Sequence, residues 1–500
     1  MNPMTKLGMS VLGVAVALGV LGDALLRVTP WGINVGVWVG VLVGLLVGLA
    51  QWRGVALTGG GRWLLLPAFG FAVLYAWHDS PTLNALNLMA LLIALAIAAL
   101  RSRQGRIRIA GVMDYVRAQI AAAYHAMLGA FPLLASDIQW KRIPHGGWSK
   151  QAVAVARGLI IGVPLLMIFG GLFIAADAVF EDFALRLFDW DIEALLTSVV
   201  FITAWAWISA GFLRQTLIAS SDPTGLQDLS SLKAPSGLVL GPIEIGTALG
   251  LLNALFFAFV LVQMRYFFGG VDVVESSIDL TYAEYARRGF FELVTVAALV
   301  LPTLLIAHWL LPRDHPSAER VFRPLAGALI VTLFVIMVSA VQRMLLYQRE
   351  FGLTELRVYT TAFMSWLAIV FVWFAATVLR GQRERFAFGA LAAGFASIIA
   401  LHVLNPDDLI VRVNVNRVDT PRPLDARYIA QLSADAVPVL IDALPSMREA
   451  DRCIVAARLL ARWTSPAHPD WRTWNVSRVQ AWRMVGANRE ALQAWACPVR

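Results

Sequence analysis

From Trp31 to Ala50 the chain reads WGINVGVWVGVLVGLLVGLA, twenty residues without a charge. About 20 helical residues cross the ~30 Å hydrocarbon core of a bilayer, so such a run is a candidate membrane span. Lipid offers no partners to backbone N–H and C=O groups, which restricts spanning structures to helices and closed barrels. Barrel strands alternate apolar and polar side chains, and this run does not. Ten similar stretches accompany it. Together the candidate spans are 7–26, 31–50, 63–79, 84–100, 157–178, 193–217, 242–263, 290–311, 324–345, 358–379 and 386–403. The balance of 59% hydrophobic to 15% charged residues departs from the soluble norm of roughly 45–50% and about 25% in the direction this requires. The expected fold is an all-α polytopic helical membrane bundle of about eleven transmembrane helices, followed by a small C-terminal helical soluble domain.

Four regions follow from that pattern: a four-span segment at 1–100, a basic loop at 101–156, a seven-span core at 157–403 and a helical tail at 404–500. Lys6 before an apolar core resembles a signal peptide, but no small-residue cleavage site follows and the second span begins at once, so an uncleaved anchor is expected. The tail holds 13 of the 41 Lys and Arg residues and no stretch long enough to span.

Basic residues orient the bundle. The 101–157 segment carries Arg101, Arg103, Arg106, Arg108, Arg117, Lys141, Arg142, Lys150 and Arg157, which marks it as cytoplasmic. Eleven spans then place 20 Lys and Arg on inner segments and 8 on outer ones, the tail excluded. The expected location is the cytoplasmic (inner) membrane of a bacterium, N-terminus inside and C-terminus outside. The net charge of +8 then reflects topology and contact with anionic lipids at the cytoplasmic face. No basic soluble domain with a nucleic-acid-binding pattern is present, so nucleic acid is not an expected partner.

Within the basic loop Met113, Val116, Ile120, Met127, Leu128 and Phe131 recur close to helical spacing. This predicts an amphipathic helix lying on the headgroups or the bundle, or docking a partner. In the second span Gly32, Gly36, Gly40, Gly44 and Gly48 repeat every four residues. Small residues allow the close backbone approach on which helix association in lipid depends. The repeat predicts packing against a helix of the same chain or, alternatively, a homo-oligomer seam.

Signatures of catalysis are absent. The chain contains no Walker A, H-E-x-x-H, C-x-x-C or G-x-S-x-G pattern, and its seven histidines never fall at i, i+3 or i, i+4. No cofactor, metal or catalytic residue is expected. Ionisable residues beside spans are costly to bury and mark candidate sites instead. Asp177, Arg265, Glu292 and Arg343 map to outer span ends, whereas Glu244 suits the positive first turn of its own helix. Pro164 and Pro302 interrupt apolar helices, as kinks or as gating elements.

The densest charge cluster is QRMLLYQREFGLTELRVYT at 342–360. Gly352 can take the left-handed conformation that ends a helix. Thr354 is then the N-cap of the next helix and Glu355 lies in its first turn. The turn is either ordinary and solvated, or Arg343, Tyr347, Arg349, Glu350 and Arg357 join Asp177, Arg265 and Glu292 in an outward-facing polar site.

LLYQREFGLTELRVYTTAFMSWLAIVF, with LNPDDLIVRVNVNR at 404–417 and LSADAVPVL at 432–440, resembles a bacterial family of polytopic membrane proteins. That family is catalogued as domain of unknown function 4173, related to 4153. The similarity runs from about 155 to 440 and includes ARGLIIGVPLLMIFGGLFIAADAVF. Phe351 stands where the family pattern implies Tyr. The resemblance implies no activity, cofactor or catalytic residue.

The tail reads as helices at 424–432, 436–443, 447–463 and 472–495, with Asp435 capping the second so that Pro438 falls in its first turn. Cys453 and Cys497 are the only cysteines, both in this tail. They are either disulfide-bonded in an oxidising compartment or a buried helix residue and a loose terminal one.

Two function classes remain. One is a sensor, accessory or scaffold protein binding a partner or ligand at its outer tail and hairpin. The other is a transporter or channel with an outer polar entrance, which calls for midplane ionisable residues and internal symmetry. Midplane positions are almost all apolar, Asn253 being the main exception, and this favours the first.

Overall fold

The computed structural model describes residues 2–57, 60–101, 108, 111–140, 162, 169–170, 172–173, 176–177, 192–218, 241–268, 290–311, 316–417 and 424–497. The chain is an all-α, multi-pass membrane protein. Among the described residues nine helices are long and apolar enough to cross a bilayer, and no strand occurs. The long helices are α1 (Pro3–Leu26), α2 (Ile33–Trp52), α4 (Pro81–Arg101), α6 (Ile192–Leu217), α7 (Pro242–Phe268), α8 (Phe290–Trp309), α9 (Pro316–Phe351), α10 (Glu355–Thr377) and α11 (Phe386–Leu404). Between α2 and α4 lies the shorter α3 (Leu65–Val73).

Two of the eleven expected spans differ from this set. The third is a stretch of only 17 residues, Gly60–Ala76, tightened into 3-10 turns on both sides of α3. The fifth, at 157–178, falls largely outside the described residues, as do most basic residues of the 101–157 segment.

Two apolar clusters form the bundle. One gathers α1, α2, α3, α4 and α6, and the other gathers α7, α8, α9 and α10. Helix α11 lies between them, giving Ile398 to the first and Phe386 to the second. The Phe71 and Phe395 rings meet at 5.0 Å. Helix α1 crosses α6 closely. A Cβ on Gly19 would come within 2.5 Å of the Ile202 carbonyl oxygen, and one on Gly22 within 2.6 Å of the Trp205 ring.

The glycine repeat of α2 is used in part. A Cβ on Gly36 would stand 3.4 Å from Val73 Cα and one on Gly40 3.0 Å from the Phe69 ring, while Gly32 lies under the Trp474 carbonyl. Gly44 and Gly48 meet nothing within 4 Å. Helix α3 has nine residues, about 13 Å at 1.5 Å per residue, and so covers only two of the roughly 6 Å steps between these glycines.

Helix α5 (Val112–Leu128) packs its small face, with Ala118, Ala121 and His125, against α4 and α6. The Trp207 indole donates to the Met127 carbonyl at 2.8 Å. Its apolar stripe of Met113, Val116, Ile120 and Met127 faces away from the bundle. After Gly129 the helix bends by 52°.

The tail continues α11 without a linker. Asn405 takes φ +48° and caps α12 (Pro406–Val415), where Pro406 needs no N–H. Then follow α13 (Val437–Ala443), α14 (Glu449–Trp463), α15 (Val476–Ala487) and α16 (Arg489–Trp495). Helix α12 had no counterpart in the sequence reading. The expected 472–495 helix is broken at Asn488, and only Ala426–Ile429 of 424–432 is helical. The tail core includes Leu353 and Val358 from the bundle, so the tail caps one end of it.

Candidate functional site: the seam between tail and bundle

The tail meets the short connector Trp77–Ser80, which joins the third apolar stretch to α4. Its sequence, WHDS before Pro81, puts three polar side chains where two helix ends leave backbone groups unpaired. Asp435 lies opposite, 3% exposed. Its Oδ2 accepts the backbone N–H groups of Asp79 at 2.8 Å and Ser80 at 2.9 Å. Its Oδ1 lies 2.6 Å from His78 Nδ1 and accepts the Ser477 hydroxyl. His78 Nε2 lies 3.0 Å from the His402 carbonyl oxygen. The ring is thus held at both nitrogens, by the tail on one side and by the end of α11 on the other. Burial pulls the Asp435 carboxyl up. The His78 pair and the two serine hydroxyls outweigh it and hold the group below the usual carboxylate range.

Asp435 therefore does not cap α13. Ser433 caps the turn before that helix, and the N-cap position of α13 falls to Ala436. A local capping bond would satisfy one N–H, whereas the connector offers two N–H groups and the His78 ring. The carboxylate goes where the larger demand is.

A second pair lies alongside. Arg478, 4% exposed, stands 2.9 Å from Asp79 Oδ1, and its other nitrogens donate to the carbonyls of Pro30 and Trp31. Burial lifts the Asp79 carboxyl to about 6 despite this cation. Asn475 donates to the carbonyls of Tyr75 and His78, and Arg472 to that of Ala24. The tail backbone pairs directly with α2, Ile33 N–H donating to Trp474 at 2.9 Å.

The third pair is Asp407 and Ser433. The Ser433 hydroxyl lies 2.5 Å from Asp407 Oδ2 and 2.8 Å from Asp435 Oδ2. Neighbouring contacts extend the seam to α9 and α10. Asn414 exchanges two hydrogen bonds with Leu353, the Tyr428 hydroxyl accepts from Glu355 N–H, and the Tyr359 hydroxyl lies 3.2 Å from Ser80 Oγ. Gly352 has φ +78° directly before, and Thr354 starts α10 as expected, although its hydroxyl makes no capping bond.

Of the eight residues proposed from sequence for an outer polar site, Arg357 and Tyr347 are seen together among the described residues. The Arg357 guanidinium lies 4.1 Å from the centre of the Tyr347 ring and donates to the Gly352 carbonyl. Arg343 is half-buried on α9, Glu292 is exposed in the first turn of α8, and Asp177 is exposed. The side chains of Arg265, Arg349 and Glu350 lie outside the described residues. Asn253 spends its amide on the carbonyls of Leu249 and Leu325, joining α7 to α9.

The residues that sequence reasoning passed over are His78, Asp79, Ser80, Asn475, Ser477 and Arg478. Each is unremarkable in its own segment, and their partners lie hundreds of positions away. The Ser433 and Ser477 hydroxyls donate to carboxylates and the Ser80 hydroxyl lies against that of Tyr359, so none is paired with a histidine in the manner of an activated nucleophile. Among the described residues no three His, Cys, Asp or Glu side chains gather as a metal site.

Cys453 and Cys497 of the tail are joined, their Cα atoms 5.0 Å apart and within bridging range.

The seam draws on the motifs LNPDDL and LSADAVPVL, which provide Asp407, Ser433 and Asp435. Residues 65–443 match one protein family, described as Domain of unknown function (DUF4153). The chain belongs to this family. DUF4153 is the relative of the family that the motifs resemble, and its match begins at 65 rather than at about 155. It thus takes in the 77–80 connector as well as Asp407, Ser433 and Asp435, and stops before Asn475 and Arg478. No curated protein and no solved structure matches the chain.

Proposed function

We propose that the protein is a membrane-embedded sensor or accessory protein of the bacterial inner membrane. In this reading the tail receives a partner or ligand outside the cytoplasm, and the seam conveys its state to the spans. One observation carries the reading: Asp435 collects donors from the tail and the bundle at one buried point, so the seating of the tail and the geometry of the 77–80 connector change together. The orientation, N-terminus in and tail out, is supported by the Lys and Arg asymmetry and by the cysteine pair in the tail. The family label 4173, the homo-oligomer seam and the outer entrance of a transporter remain proposals of the sequence.

The transporter alternative needs polar groups free to meet a substrate near the midplane. Asn253 is bonded to two carbonyls and the Ser339 hydroxyl donates to Gln263, which favours packing roles for these groups. The test compares proteomes of cells lacking the protein with cells carrying Asp435→Asn or Gln263→Leu at matched membrane abundance. The sensor reading expects Asp435→Asn to reproduce the changes of the deletion and Gln263→Leu to leave them absent. The reverse pattern would establish the transporter.

A further inference from the structure

The Ser433 hydroxyl has one hydrogen and two carboxylates waiting for it. Its oxygen lies 2.5 Å from Asp407 Oδ2 and 2.8 Å from Asp435 Oδ2. Two ionised carboxylates cannot both accept a single hydroxyl proton in good geometry. The count closes if one carboxyl carries a proton of its own and donates it to the serine oxygen.

Asp435 is the one that stays ionised. It already holds His78, two backbone N–H groups and the Ser477 hydroxyl. Asp407, 1% exposed, has little of this. Its Oδ2 receives the Ser433 N–H at 3.1 Å, and its Oδ1 meets no donor among the described residues. The charged and titratable groups around it come from three elements. Glu355 and Tyr359 face it from α10, Asp435 and Tyr428 from the tail, and Arg462 from α14. The acidic members raise the cost of another negative charge. Arg462 is the one cation in this group, and its Nη1 is committed to the carbonyls of Gln431 and Leu432.

We infer that Asp407 is a proton-binding site, and that its occupancy links the acidity of the compartment facing the tail to the seating of the tail on the bundle. This rests on the sensor reading and names its ligand. With the proton bound, the chain runs from Asp407 Oδ2–H to Ser433 Oγ and from Ser433 Oγ–H to Asp435 Oδ2. When the proton leaves, two carboxylates compete for one hydroxyl across a buried gap, and the Ser433 turn loosens. Burial, with Glu355 and Asp435 nearby, lifts the Asp407 carboxyl to about 6. A carboxyl raised in the seated state from an ordinary 3.8 stabilises that state fully below 3.8 and loses the contribution as pH rises through about 6. Acidification therefore tightens the tail and neutral pH loosens it.

The test uses the full chain in lipid nanodiscs. Infrared difference spectra between pH 5.0 and 7.5 should show the carbonyl stretch of a protonated carboxylic acid, lost with a midpoint near 6. One component should vanish in Asp407→Asn and persist in Asp79→Asn. Amide exchange at 77–80 and 433–436, corrected for intrinsic rates, should speed up over this range about tenfold more in the wild type than in Asp407→Asn, in which Asp79 still titrates. A wild type without the band at pH 5.0 overturns the proposal, as does an Asp407→Asn protein that retains every component. A band that titrates while the seam's exchange ignores pH overturns the coupling. Should Asp407→Asn fail to insert, the wild-type band and exchange profile decide alone. None of these readings depends on the proteome comparison, so the sensor reading can fail while the proton site stands, or the reverse.

Discussion

The tail seam and the start of α9 treat charge in opposite ways. At the seam Arg478 and Asp79 pair at 2.9 Å with side chains 4% and 14% exposed, and His78 and Asp435 pair at 2.6 Å with 6% and 1%. At the start of α9 Arg323 and Glu319 pair at 2.5 Å, yet both side chains are almost half exposed. Distance alone would rank these pairs together. Burial separates them, because water screens the second pair and an unpaired charge in the first has nowhere to go. The exposure at Arg323 suits a face that meets solvent. The seam suits a joint.

The largest expected effect therefore falls on the joint. Replacing Asp435 by Ala leaves His78 and two connector N–H groups without their acceptor. Breaking a buried pair from one side costs about 3–5 kcal/mol. Protease release of the tail from nanodisc-held protein should rise steeply in Asp435→Ala, while the bundle keeps its helical signal. A change below about 1 kcal/mol would mean that the seam is a surface contact. The double variant His78→Leu with Asp435→Leu sharpens the point, since removing both partners should cost less than removing one.

Next comes the cysteine pair. Its closure spans a sequence separation of 44 residues, worth roughly 4 kcal/mol in the chain-entropy account and often less in practice. Reduction should lower the melting temperature of the tail but leave the Asp435 network intact at its seated end. Labelling intact cells with an impermeant thiol reagent examines compartment and pairing at once. Label should appear on Cys453 and Cys497 only after reduction. Label without reduction refutes the bond, and none after reduction and unfolding from outside refutes the outer placement of the tail.

Apolar packing gives the third contrast, between glycines that touch and glycines that do not. At Gly19 a Cβ would press on the Ile202 carbonyl oxygen, a backbone atom that cannot swing aside. Gly19→Ala should cost about 1–3 kcal/mol, as overpacking usually does. Gly44→Ala should cost nothing, because open space lies beyond it. Unfolding by graded denaturant in mixed micelles measures both. Equal costs would show that helix propensity, not helix contact, governs these positions.

Those glycines also show how far the sequence carries. Spacing alone singled out the α2 repeat, yet the closer crossing uses Gly19 and Gly22 of α1, which have no repeat to betray them. Local rules did well where the partner is local. The Gly352 break and the start of α10 at Thr354 follow from backbone preferences within a few residues. They failed at Asp435, where a capping rule chose a neighbour and the fold chose His78, 357 positions away. WHDSP reads as a plain connector until the tail is laid on it. The residues Asp407, Ser433 and Asp435 sit inside two of the motifs that carry the family resemblance, so their importance is visible but their purpose is not.

The smallest effect should come from the exposed pair. Glu319 and Arg323 stand one turn apart on α9 with side chains 47% and 44% exposed. Such pairs gain little, since water already solvates both ends and two long side chains must be held still. Glu319→Gln should shift unfolding by no more than about 0.5 kcal/mol, with the difference fading as salt is raised past a Debye length of about 8 Å. The matching change at the seam, Asp79→Asn, leaves Arg478 buried without its counter-ion and should be several-fold costlier and insensitive to salt. Measuring the two side by side, across the same range of ionic strength, isolates burial as the variable. Two variants that respond alike to salt would mean that water reaches the seam, and the contrast between the two pairs would lose its basis.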